Sequence, residues 1–247
     1  MQGASTPYYL DWTFWAFVAS AIAIALSQVP PLKDWFRPPK LVVETPKKFR
    51  LTHIVGYPTA GVILNIRNTG GRSTRITAIN LEIRRSGKHL IELPVTEFFP
   101  DQTNNQTLMF MPLTLASGAE ATLSVNAYLD LTREKTRELN LLSSAVKREG
   151  YRPTPGYAGP APISPTLVEQ GVKLFQQNFQ WMAGEYELRI NIATEENCSV
   201  KQAPKQFTLW ESDEAELRAF TDEYKFGIGI GIPNQKQATG VFVTLRA

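Results

Sequence analysis

Two histidines, a single cysteine and scattered carboxylates are the side chains of this chain that could carry acid–base, nucleophilic or metal chemistry. Their spacing joins them into no working set. The separation of His53 and His89 fits no zinc motif, and Cys198 alone cannot complete a thiolate cluster. No G-x-S-x-G turn marks a nucleophile, and no H-E-x-x-H sets two ligands one helical turn apart. The acid pairs Glu195-Glu196 and Asp222-Glu223 fall beside turns or helix ends, where solvated carboxylates are normal. The sequence therefore names no catalytic residue, no metal ligand and no cofactor, and it points away from an enzyme.

Glycine spacing is the other chemical signal. Gly227, Gly229 and Gly231 alternate with isoleucine in YKFGIGIGIP, but the Lys-Ser/Thr and the helix that a phosphate-binding loop needs do not follow. The alternation reads instead as a strand with one apolar face and one face of bare backbone, open to the close approach of another surface. VFVTLRA would pair with it across PNQKQATG, giving a C-terminal β-hairpin within 212–247 after a short helix.

Charge excludes further classes. Twenty-six basic against 23 acidic residues give +3 over 247 residues, too little for an electrostatic nucleic-acid binder, so nucleic acid is not an expected partner. Arg67, Arg72, Arg75, Arg84, Arg85 and Lys88 read as a basic sheet edge guarded against pairing with other edges. One cysteine agrees with a reducing compartment.

What would position these groups begins with residues 12–29, a run free of charge that reads as a transmembrane helix. A cleaved signal peptide would open on positive charge, whereas MQGASTPYYLD carries Asp11 and no Lys or Arg. Trp12, Trp15, Lys33, Trp35 and Arg37 are placed as membrane-interface anchors, and residues 30–40 form a Pro-rich basic stalk. Because Lys and Arg lie after the run and none before it, the positive-inside rule predicts a single-pass protein of the cell (inner) membrane. The 1–11 tail would be outside and the C-terminal domain cytoplasmic. Ala16, Ser20, Ala23 and Ser27 make a stripe of small side chains where a second membrane helix, or a second copy, could approach.

The remainder reads as mainly β. Val62, Leu64 and Ile66 alternate before Asn68-Thr69-Gly70-Gly71, and Ala121, Leu123, Val125, Ala127 and Leu129 alternate after Ser117-Gly118. VILNIRNTGG, LTLASGAEATLSV and MAGEYELRINI resemble the immunoglobulin-like modules of bacterial surface and membrane-tethered proteins. The resemblance implies two antiparallel sheets face to face over 41–211, without the cysteine pair and buried tryptophan of antibody domains. A helical and Pro-rich insertion interrupts it at 130–180. Its second helix starts near Ser164-Pro165 and carries Val168, Val172, Phe175, Phe179 and Met182 at alternating spacings of four and three. That stripe either covers the sandwich or docks a partner, with Tyr151 and Tyr157 on the proline loop as contact side chains.

These expectations combine into a non-enzymatic, membrane-anchored binding, scaffold or sensor subunit with partners in lipid, in another membrane protein and in a cytoplasmic protein. Two alternatives keep other topologies or roles open: an oligomeric membrane effector or pore-forming subunit, and an exported envelope module of reversed orientation.

Overall fold

A computed structural model describes residues 12–28, 37–100, 107–151, 160–196, 198–233 and 240–246. The first element, α1 (Trp12–Gln28), is 17 residues long. At 1.5 Å per residue it reaches about 25 Å, short of a hydrocarbon core of roughly 30 Å. Among the described residues no helix is long and apolar enough to cross a membrane, which corrects the single-pass transmembrane reading of 12–29. The side chains of α1 are mostly exposed, Trp12 at 87% and Phe17 at 72%. Ala16, Ser20, Ala23 and Ser27 are exposed as well, with the two hydroxyls bonded back to the carbonyls of Ala16 and Ile24. Lys33 and Trp35 lie outside the described residues, and Arg37 is exposed.

The rest is built on strands β1 (Lys40–Glu44), β2 (Lys48–Ile54), β3 (Tyr57–Asn68), β4 (Thr74–Arg85), β5 (Lys88–Phe99), β6 (Leu108–Met109), β7 (Leu113–Leu115), β8 (Glu120–Tyr128), β9 (Gly184–Thr194), β10 (Ser199–Lys201), β11 (Lys205–Leu209) and β12 (Val241–Thr244). Two tight turns set the first hairpins. Val55-Gly56 and Ser86-Gly87 both have positive φ at both positions, as the type I′ turn requires. The strands form one 12-stranded sheet along β10-β1-β3-β8-β5-β4-β9-β11, with β2, β6, β7 and β12 paired to it off that path.

A shared strand and bulges curl this sheet into a half-barrel. β5 pairs with β4 over Lys88–Pro94 and with β8 from Val95 onward, so a single strand runs from one wall into the other. Bulges between Val95 and Glu97 and between Ile76 and Ala78 add local twist. The second bulge also changes which parity faces inward, and so Ile76 and Ile79 are both buried. Gln206 and Arg246 then exchange two backbone hydrogen bonds (3.0 and 2.7 Å), bringing β11 against the chain that leaves β12. The expected immunoglobulin-like pair of separate sheets is thus replaced by one curled sheet.

The C-terminal hairpin is corrected too. β12 pairs with β2, in the register Val241–Leu51 to Thr244–Lys48, while residues 220–232 form no strand. The core inside the curl holds Phe49, Leu51, Leu64, Ile66, Leu81, Leu188 and Phe207, all essentially buried. Trp181 is fully buried among them, and its indole N–H donates to the Thr52 carbonyl (2.7 Å). A core tryptophan is present after all, supplied by the lead-in to β9.

Three helices pack at one end: α2 (Arg133–Gly150), α3 (Pro165–Asn178) and α4 (Glu211–Ala219), with a 3-10 helix over Phe220–Phe226. Thr132 caps α2 by accepting from Lys135 N–H. Ser164 caps α3 in position, but its side chain makes no cap bond; its N–H donates to Glu149 Oε2 (2.7 Å), which fixes the start of α3 to the end of α2. Val146, Ile163, Leu174, Phe175, Tyr224 and Ile232 belong to a second, smaller core between these helices.

Candidate functional site

The two cores meet at His53. This residue lies near the end of β2, where the strand has passed out of the main core, and its ring sits among Phe175 (5.0 Å between centroids), Phe179 (5.7 Å) and Phe220 (5.6 Å). Both nitrogens are committed. Nδ1 accepts from Gly56 N–H (3.2 Å), so Nε2 carries the proton and donates to the Leu217 carbonyl (2.9 Å). Burial lowers the pKa, offset in part by the bond to Leu217, and the neutral ring is the form that fits. As placed, His53 ties the β2–β3 turn to α4 and has no nitrogen left for proton transfer.

Above His53 the glycine segment folds into a compact loop. Gly227 and Gly229 take φ of +73° and +85°, which side chains with a Cβ resist. The Gly227 carbonyl accepts from the N–H groups of Ile230, Gly231 and Ile232, and Gly229 N–H donates to Ile232. Ile230 reaches the surface of Gly171 on α3, and Ile232 reaches Gly150 at the end of α2. Gly231 lies so close to the Ser143 carbonyl that a Cβ would stand 2.6 Å from its oxygen.

Between this loop, the 3-10 helix and the end of β2 lies a cleft of about 440 Å³, lined chiefly by His53, Ile54, Ser143, Phe220, Tyr224 and Ile228. That volume suits a small ligand or one large side chain of a partner. Tyr224 is 1% exposed, and its buried hydroxyl has no hydrogen-bond partner among the described residues. Burial pushes its pKa up, so it remains a protonated donor at neutral pH. Glu223 adds a carboxylate at the rim. A larger concavity of about 610 Å³ runs along the outer face of α2, but one helix alone lines it, with side chains such as Arg133, Arg137 and Leu141 that do not converge.

Neighbouring clamps hold the cleft's walls. Arg218 stacks over Phe179 (4.5 Å to the ring centroid) and donates to Glu214 Oε1 (2.8 Å), while Ala183 N–H donates to Glu214 Oε2 (2.6 Å). Burial works against ionising Glu214, but the bond from Ala183 and the charges of Arg218 and Arg85 outweigh it and hold the pKa below the usual carboxylate value.

The residues singled out from the sequence fall unevenly around this site. Gly229 and Gly231 line the cleft, and Gly227 sits behind it against Val146. Phe175 is buried and Phe179 half-buried, both against His53, while Val168 and Val172 flank the smaller core. Tyr151 is exposed at the end of α2, away from the cleft lining, and Tyr157 lies outside the described residues. Sequence spacing missed His53, Ser143 and Tyr224. The one local sign was His53-Ile54-Val55-Gly56, a strand end running into a glycine turn. His89 stands apart from the cleft lining, exposed at the start of β5 and 3.5 Å from Glu82. Cys198 is half-buried, and burial raises its thiol pKa. Among the described residues no group of three or more His, Cys, Asp or Glu side chains is placed to hold a metal ion.

Comparison with known proteins adds no identity. No protein-family model and no curated protein matches the chain. Among solved structures, the chain is similar to the Pseudomonas fluorescens alkylpurine DNA glycosylase AlkC bound to DNA containing an abasic site analog. The match has 7% identity and a TM-score of 0.23, and covers 80% of this chain and 41% of that one. A likeness of that size carries no argument about fold or activity.

Proposed function

We propose that this chain is a non-catalytic binding module, and that the cleft beside His53 receives an apolar side chain of a partner protein. The observation that carries the reading is an open cleft with apolar walls and few polar groups: Ile54, Phe220 and Ile228 offer contact surface, and Ser143 and Glu223 stand among the lining residues. Such a combination of apolar lining and sparse polar groups is what recognition pockets use. The two histidines support a role in binding over catalysis, since His53 is spent on structural bonds and His89 stands with Glu82 on an exposed face.

Photo-cross-linking tests this in cells. p-Benzoylphenylalanine in place of Ile228 should give a discrete adduct with one partner, and Gly229→Trp should abolish it by filling the cleft. The same photoprobe in place of His89, which does not line the cleft, should give no such adduct. Absence of any adduct from position 228, or equal adducts from both positions, would sink the reading.

A further inference from the structure

A second site lies away from the cleft, at an interrupted strand edge. β11 pairs with β9 only from Gly184 to Leu188, and among the described residues no strand pairs with that side of β9 from Arg189 to Thr194. The cause is local. Pro204, just ahead of Lys205, has no N–H to offer, and the chain before it turns away to β10, which pairs in parallel with β1. β10 has no strand partner on its other side among the described residues.

Between the two edges runs a groove of about 410 Å³, lined chiefly by Ile190, Ile192, Val200, Gln202, Pro204 and Arg189, the last paired with Glu187. Ile190 N–H points into it, so by strand alternation the main-chain groups of Ile192 point there as well. Gln202 occupies the place of the missing strand. Its Oε1 accepts from Ile190 N–H (3.2 Å), and its Nε2 is buried without an acceptor among the described residues. The side-chain amide thus stands in for one peptide group and leaves the rest of the rung unfilled. Lys201 and Lys205 bracket Gln202 and Pro204 in sequence, at the end of β10 and the start of β11.

We propose that this groove takes an extended peptide segment carrying acidic residues, added as a strand along Ile190–Thr194 in place of the Gln202 side chain. The edge supplies alternating donors and acceptors at strand spacing, the half-buried Val200 and Ile192 supply an apolar floor, and the two lysines supply the charge preference. This goes beyond the proposed cleft, with which the groove shares no lining residue.

The probe is a capped hexapeptide, Asp-Val-Thr-Val-Thr-Asp, titrated into the full chain while amide hydrogen exchange is followed by NMR. The expected result is saturable binding that slows exchange at Ile192 at least tenfold. N-methylation of the peptide groups that face β9 should remove it, and lysine in place of both aspartates should weaken it several-fold. Gln202→Ala, which removes the stand-in, should tighten binding several-fold while leaving the thermal midpoint near that of the parent. Two results would overturn the proposal: no saturable binding at millimolar peptide to either the parent or Gln202→Ala, or protection that survives N-methylation or maps to the His53 cleft.

Discussion

His53, half-buried, and Asn68, fully buried, are polar residues whose partners fix their chemistry. His53 is neutral in the folded chain, with its pKa lowered from 6.5 chiefly by burial. An unfolded chain takes up a proton near that value and the folded one does not, so the stabilisation is complete above it. It is lost as pH falls from there through the depressed folded value. The denaturation midpoint should therefore drop between about pH 7 and pH 5.5, and drop less in His53→Gln, measured by urea titration. Glu214 works in the same direction but in a lower window, below its ordinary 4.5, so the two contributions separate on the pH axis. Asn68 is completely buried; its Nδ2 donates to the carbonyls of Arg72 (2.8 Å) and Leu115 (3.1 Å), and its Oδ1 accepts from Gly70 N–H (3.0 Å). Asn68→Asp turns a donor into an acceptor facing two carbonyls and should cost about 3 kcal/mol in the same assay. Each role was legible only in part from neighbours in sequence: Gly56, Gly70 and Arg72 are local partners, but the Leu217 and Leu115 carbonyls arrive from distant parts of the chain.

Among the elements, periodicity served strands and helices differently from the glycine loop. β3 and β8 follow their alternation, and α2 and α3 arise where charge and apolar spacing place them. In β4 a bulge puts Ile79, Leu81 and Ile83 on the face that Ile76 also occupies, so its burial does not keep a period of two. The Gly-Ile repeat misled because glycine at φ of +73° and +85° closes a loop as readily as it extends a strand, and a period of two cannot distinguish these outcomes. The loop's fit against the helices can be tested position by position. Gly231→Ala brings a methyl against the Ser143 main chain, which cannot yield without moving α2, and should destabilise by about 2 kcal/mol. Gly171→Ala meets the terminal methyl of Ile230, a side chain able to rotate, and gains helix propensity of about 1 kcal/mol. Its net effect should be much smaller, by thermal unfolding of both variants.

For the molecule as a whole, closure of the curled sheet depends on a short contact between distant segments. Gln206 N–H donates to Arg246, not to β9, so Gln206→Pro removes that bond while sparing the β9–β11 ladder. The substitution should cost about 2 kcal/mol and raise amide exchange across Val241–Leu245 before any other strand. The run of apolar residues in α1 was legible as a helix, yet its reach fell short of the bilayer thickness that composition alone suggested. The same closure has a mechanical side. Tension on the C-terminal end loads the Arg246–Gln206 bonds first, then Leu245 N–H to the Lys47 carbonyl, then the Thr244–Lys48 rung and its successors toward Leu51. Under tension that peels this end away from the sheet, each rung bears the load alone, as in a zipper, so the curled sheet should yield at low force in that direction.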